Sequence, residues 1–360
     1  MKNKKIFPGI VLIAILTFST VSCFSKTEGK VINSVEELKE YLDSQPKNSP
    51  DKPIIITMND NITDFWKFRQ TIYFSGLSGK YISLNLSKSP ITVIPEYAFG
   101  GCETLVSIII PNSVTKIGDK AFSNCTSLTM VIIPNSITRI GNDVFNNCSS
   151  LTNIKIPTSV TEIGEKAFSH CTSLKKIIIP NSVTSIGGQT FSHCTSLVDI
   201  IIPNSVKSIG SYNFMGCTSL KRAAISKGVT IINFGVFMEC ISLQEVKIPN
   251  SVTSIRARAF NGCTSLIKIK IPRSVTSIDH LAFAGCSGLT GIIIPDSVFS
   301  IQNGAFSDCN NLNSVTIQGT ITEVNLPYFP GDLREKYLVE GVGTYKTTLP
   351  LSDDSVWTKH

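Results

Sequence analysis

The sequence predicts a solenoid of about eleven stacked coils, each a β-strand followed by a short helical or 3₁₀ turn, curved or elongated and covered at both ends. Three observations predict it. Ten cysteines, Cys102, Cys125, Cys148, Cys171, Cys194, Cys217, Cys240, Cys263, Cys286 and Cys309, stand 23 residues apart without exception. Each has Phe three positions before it, Leu three after and Ile eight before, from Phe99, Leu105 and Ile94 to Phe306, Leu312 and Ile301. The chain is 42% hydrophobic and only 16% charged, so it can fill a long core. A period of this length marks a coil that cannot bury its own apolar face and stacks on copies of itself to do so.

Residues 1–22 read as an export leader. Lys2, Lys4 and Lys5 form a basic start, Ile10 to Phe18 a short apolar stretch, and small residues lead to Cys23. The apolar run is too short for an ordinary membrane-spanning helix. Thr20-Val21-Ser22-Cys23 resembles a bacterial lipobox, with Thr where Leu is usual, which makes Cys23 the candidate lipidation site. The alternative is a plain cleaved leader with Cys23 incidental. Without the three leader lysines the net charge of +7 falls to +4, too mild for a nucleic-acid binder.

Residues 23–80 read as a linker and N-terminal cap. Ser34-Val35-Glu36-Glu37 matches a capping box that opens a short helix with Val35, Leu38, Tyr41 and Leu42 on its apolar face. Gln45 to Pro53 reads as a loop and Ile54 to Met58 as a strand. Trp66, Phe68, Ile72, Tyr73 and Phe74 supply bulk to cover the first coil.

Residues 81–321 hold the repeats. In the copy after Cys125, the β-branched run Val131-Ile132-Ile133 ends at Pro134, which lacks the N–H that strand pairing needs. Asn135-Ser136 supplies turn chemistry, Ile137 and Ile140 point inward, and Gly141 permits a sharp turn. Phe122, Cys125 and Leu128 lie along one face of the helical turn. A degenerate first copy places Tyr81, Leu84, Leu86 and Ile91 in register after one inserted residue, assigned to Pro90. At ~4.8 Å per strand, about eleven coils span about 50 Å. The copy after Cys217 reads Ala223-Ala224-Ile225-Ser226-Lys227-Gly228, without Pro, and Asn233 replaces Gly, which predicts a local kink or altered coil over 217–240. Residues 322–360 read as the C-terminal cap and tail, with a short helix over Gly331–Tyr337 and a less ordered end in which Trp357 packs.

The pattern Ala-Phe-x-x-Cys-x-x-Leu-x-x-Ile-x-Ile-Pro-x-x-Val-x-x-Ile-Gly resembles the treponemal-type leucine-rich repeat of BspA-like surface proteins, from about Tyr81 to Ile321. The resemblance implies a leucine-rich-repeat solenoid on a bacterial lipoprotein, held at the outer membrane and exposed at the cell surface, or on its periplasmic face. It also implies attachment to host matrix, to cell-surface proteins or to other bacteria.

No residues form a catalytic constellation, phosphate loop or zinc spacing, so neither enzyme activity nor a cofactor is expected. The ladder cysteines share a register with Phe and Leu, and read as buried thiols acting as small hydrophobes rather than disulfides or metal ligands. His170 and His193 stack in adjacent coils with no matching carboxylates, which fits loop histidines better than a metal pair.

That leaves the strand face. The positions one, two and four after the repeat Leu are expected to point outward. The central column reads Ile109, Ile132, Lys155, Ile178, Ile201, Ala224, Lys247, Lys270, Ile293 and Thr316. Lys176, Arg222 and Lys268 stand in the column beside it. A contiguous apolar patch suggests a partner. The candidate partner surface is therefore Ile109, Ile132, Lys155, Lys176, Ile178, Ile201, Arg222, Lys247, Lys268, Lys270 and Ile293, apolar toward one end and basic toward the other. Its reading is a protein ligand. The alternatives are an acidic glycan on the basic stretch, or assembly of an envelope protein through the isoleucines.

Overall fold

A computed structural model describes residues 29–321, 329, 331–349, 351 and 354–360. The leader and Cys23 lie outside them. The chain winds as a solenoid of about thirteen turns. Two turns more than expected arise because the N-terminal cap extends the sheet instead of merely covering it. Strands Lys30–Ile32 and Ile54–Met58 run parallel to Ile82–Asn85, the strand of the degenerate first copy.

On one side of each coil the face strands pair in parallel. The first ladder holds Lys30–Ile32, Ile54–Met58, Ile82–Asn85, Leu105–Ile109 and Met130–Ile132. A single bridge joins Lys155 to Ile178. Then come Asp199–Ile201, Arg222–Ala224 and Glu245–Lys247, and after a gap Gly291–Ile294 and Ser314–Ile317. Across the coil, two-residue strands such as Glu162–Ile163 and Ser185–Ile186 form the second wall.

The register at the first copy refines the expected alignment. Ile82, not Tyr81, pairs with Leu105, and the register slips at Ile82/Ser83 before Leu84 pairs with Ile108. From Val93 paired with Lys116 the original offset returns, which is where one extra residue in the first copy belongs. The slip is a β-bulge at Val106. It turns Val106 and Ser107, both expected to face outward, into the buried set, and the Ser107 hydroxyl donates to Ser83 Oγ at 2.8 Å.

Between the walls runs a ladder of phenylalanines from Phe99 to Phe306, every ring buried and stacked on the next at 5.2–5.6 Å. Phe329 extends it at 5.3 Å. Cys–Phe pairs lock successive coils together. Cys125 Sγ donates to the carbonyl of Phe99 at 3.1 Å, and the same bond repeats through Cys309 to Phe283. The repeat serine after Pro does likewise: Ser159 Oγ donates to Ile137 O, and Ser274 Oγ to Val252 O, both at 2.6 Å.

The segment from Phe to Leu makes successive three-residue turns, Cys148 N to Phe145 O and Leu151 N to Cys148 O, of 3₁₀ type. It does not continue as a helix, because the residue before each ladder cysteine takes a left-handed backbone, at Asn124, Asn147, His170, His193 and Gly216 among others. The repeat glycine has a different cause from the sharp turn expected. Its φ is ordinary, and an added Cβ at Gly187 would lie 2.5 Å from the backbone nitrogen of Glu165 in the coil below. Close approach of coils, not turning, calls for glycine at Gly118, Gly164, Gly187 and Gly210, while Asn233, Arg256, Asp279 and Gln302 take the same position in later coils.

The face ladder shows no kink at residues 217–240, but the coil is altered on its second wall, where Ser208–Ile209 ends one ladder and Ile231–Ile232 begins the next. Asp199 to Ile201 pair with Arg222 to Ala224, and these with Glu245 to Lys247, in unbroken register. Phe214 stacks on Phe237 at 5.5 Å. Side chains supply what the consensus lost: Ser226 Oγ donates to Val206 O at 2.8 Å, and Asn233 Nδ2 to Ile209 O at 2.8 Å.

The N-terminal cap holds the helix Val35–Ser44, with Glu37 N donating to Ser34 Oγ at 3.0 Å. Glu37 reaches back to Asn33 N at 2.8 Å, one residue beyond the usual capping-box partner. In the helix Phe65–Leu77, Phe68 and Ile72 are buried, and Phe65 and Phe68 meet the ring of Phe99 edge-on. Trp66, Tyr73 and Phe74 do not cover the first coil as expected but stay exposed, with Arg69 stacked between Trp66 and Tyr73.

The C-terminal helix is Leu333–Glu340. The tail is more ordered than predicted. Gly343–Lys346 pairs antiparallel with Ser314–Ile317 and with Thr358–Lys359, closing the sheet, while Tyr345 and Trp357 are fully buried. Asp332 accepts from Trp357 N at 2.7 Å, which pins this end.

Candidate functional site: the strand face

Alternation along each face strand sends Ile or Val inward and the flanking positions out. Ile177 and Ile179 are buried while Ile178 between them is 69% exposed; Ile201 is 48% and Ile293 56% exposed. Lys155, Lys176, Arg222, Lys247, Lys268 and Lys270 are all exposed on the same face. Exposed Ile267 joins Ile293 at the C-terminal end, beside Lys268.

Ile109 and Ile132 depart from the expectation, being only half-buried. They pair directly with one another in the continuous first ladder, so two branched side chains at strand spacing shield each other. Ile201 and Ile293 instead pair with small Ala224 and Thr316, and Ile178 touches its neighbour through one isolated bridge. The exposed isoleucines are thus the middle pair and the C-terminal one, not a block from Ile109 onward. Arg222 is not free either, since its guanidinium holds Asp199 at 2.9 Å.

The other candidates resolve as follows. All ten ladder cysteines are free and buried. Burial pushes the Cys171 and Cys217 thiols up to about 12, so they are poor nucleophiles and poor ligands. His170 and His193 stack face to face at 4.6 Å. Ring-nitrogen lone pairs lie in the ring planes, so stacked rings cannot aim at one ion. Desolvation, then the neighbouring His193, lowers the His170 pKa. Among the described residues no group of three or more His, Cys, Asp or Glu could hold a metal, and no helix is long and apolar enough to cross a membrane.

Several residues escaped the sequence reading. Phe329 stands 23 residues after Phe306, a register signal hidden because its repeat lacks the cysteine. Arg273 and Gly291, at one end of the strand face, shape a groove that no spacing rule announces.

Comparisons with known proteins agree with this architecture. A family model described as the BspA type leucine rich repeat region matches in six copies, over residues 71–197, 145–264 and 230–331. A solved leucine-rich repeat protein from Bacteroides ovatus is 28% identical, with a TM-score of 0.60 over 72% of this chain and 75% of that one. A leucine rich cell surface protein from Faecalibacterium prausnitzii is 29% identical over 67% of this chain and 79% of that one, with a TM-score of 0.41. The T. pallidum leucine rich repeat protein is 30% identical over 59% and 79% of the two chains, with a TM-score of 0.38. No curated protein matches the sequence. With the family model spanning residues 71–331, well over half of the chain, the chain belongs to the BspA type leucine-rich-repeat family.

Proposed function

We propose that the protein is a non-enzymatic binding protein of the bacterial cell surface, anchored through lipid on Cys23, that attaches to host matrix or cell-surface proteins or to other bacteria. The strand face is the contact surface. The observation that carries this reading is the exposure of Ile178, Ile201 and Ile293 on one sheet face, with exposed lysines beside Ile178 and Ile293. Branched apolar side chains left out of a core this well filled are a cost in water that a partner removes. Membership of a repeat family built for extended surfaces supports the same reading.

The test is binding of the purified protein to immobilised matrix proteins, compared with an Ile178→Ser/Ile201→Ser variant. The reading expects binding to drop by about tenfold or more, since each of the two side chains removes roughly 1–2 kcal/mol of apolar burial at an interface. Undiminished binding by the variant would move the site off the Ile178–Ile201 stretch, and undiminished binding by Ile293→Ser as well would move it off this face. The anchor has its own check: metabolic labelling with a palmitate analogue marks the wild type and not Cys23→Ala.

Assembly through the isoleucines is the second reading, and the exposed column favours it only if the same variant changes the molecular mass in light scattering.

A further inference from the structure

The face strands part at one place that coincides with a groove. The ladder of Asp199–Ile201, Arg222–Ala224 and Glu245–Lys247 ends there, and the next begins at Gly291–Ile294. Residues 268–271 pair with neither. The backbone bond that follows is stretched, with Thr290 N to Ile267 O at 3.4 Å, against 2.9 Å for Gln244 N to Lys221 O two coils earlier. A groove of about 980 Å³ opens here.

Its chemistry is one-sided. Lys268, Lys270 and Arg273 line it, all exposed, and no acidic or aromatic side chain does. Glu245 and Asp296 flank it without lining it. The floor carries exposed Ile293. The depth comes from sequence: in the column where other coils place Met130, Lys176, Arg222 or Glu245, this coil has Gly291, followed by Ser314. The other parting, about Lys155 and Ile178, has Asn153 and Lys176 in that column.

We propose that this groove binds an extended acidic polypeptide segment, its carboxylates on Lys268, Lys270 and Arg273 and one apolar side chain over Ile293. The inference rests on the strand-face reading and names the partner's chemistry. Arg273 offers the planar fork that carboxylates match, and the lysines add charge that nothing in the lining neutralises. A free anion needs no such volume. A sulfated glycan satisfies the cations but leaves Ile293 uncovered, whereas an extended peptide presents alternate side chains to one face.

The experiment is fluorescence anisotropy of labelled peptides titrated with the full chain. One peptide alternates Glu and Leu, a second Glu and Ser, a third Gln and Leu; a heparin fragment serves as competitor. The Glu–Leu peptide is expected to bind best, with affinity falling as salt rises. Lys268→Gln/Lys270→Gln/Arg273→Gln should weaken it by about tenfold or more. Ile293→Ser should weaken Glu–Leu while leaving Glu–Ser unchanged. Native-state protection of the ladder thiols from alkylation verifies that each variant is folded. Equal binding of the Gln–Leu peptide, or no effect of the triple substitution, overturns the proposal. A heparin fragment that binds where Glu–Leu does not overturns it in favour of a glycan. If the groove variants keep the binding to matrix proteins that Ile178→Ser/Ile201→Ser loses, the strand-face reading stands and the groove assignment alone falls.

Discussion

Replacing Phe168 with Ala should divide the solenoid's stability. Phe168 is fully buried and stacks on Phe145 at 5.5 Å and on Phe191 at 5.6 Å, in the middle of the ladder. Truncating a buried phenylalanine costs about 3–5 kcal/mol, from lost transfer energy plus the cavity left behind. Each lost ring pair removes ~0.5–1.5 kcal/mol beyond area. The rigid coils above and below, tied by backbone bonds such as Phe168 N to Thr190 O at 2.9 Å, leave little room for collapse. The expected loss is therefore about 4–5 kcal/mol. In a solenoid that energy is local, because each coil contacts only its neighbours. Urea denaturation followed by circular dichroism should show a broadened or biphasic transition. Pulsed alkylation with mass spectrometry should then find Cys148, Cys171 and Cys194 labelled before Cys102 and Cys286. A loss below about 1 kcal/mol, or uniform labelling of all ten cysteines under native conditions, would refute the coupled-ladder account.

Three further outcomes follow from the same geometry. Gly187→Ala should cost about 1–3 kcal/mol by overpacking against the Glu165 backbone, whereas Gln302→Ala at the equivalent, exposed position of a later coil should stay within ~0.5 kcal/mol; thermal melts compare the two. Alkali should destabilise the reduced protein steeply. Burial raises the ladder thiols above their ordinary 9.0, so the folded state holds protons that the unfolded chain gives up. Stability is then full below pH 9 and falls as pH climbs toward the folded values near 12, which urea midpoints across that window will show. Ser34→Ala should lower stability by about 1 kcal/mol through loss of the cap on the first helix, read as earlier hydrogen exchange in residues 35–44.

The repeat was legible because every coil obeys one steric rule, and each of the ten cysteine copies repeats it in the same register. Phe, Cys and Leu sit on one turn and the β-branched run precedes Pro, so strand, turn and core positions could all be placed from spacing. The caps were legible only as local elements. Ser34 and Val35 announce a helix, but nothing nearby says that Lys30–Ile32 will add a strand to a sheet whose next members begin at Ile54 and Ile82. The strand face was half legible. Alternation says which residues point out, while the shielding of Ile109 by Ile132, and the pairing of Arg222 with Asp199, depend on what stands in the next coil.

The sequence by itself determined the fold class, the coil boundaries and the inertness of the ladder thiols, because a strict period leaves one way to bury the same side chains in every coil. Tertiary structure alone decided why cysteine and glycine recur: the thiol donates to a carbonyl 26 residues earlier, and the missing Cβ admits the backbone of the adjacent coil. It also decided where the face strands part over Lys268 and Ile293. Such features arise between coils, where distance in space is a few ångströms and distance along the chain is a full turn.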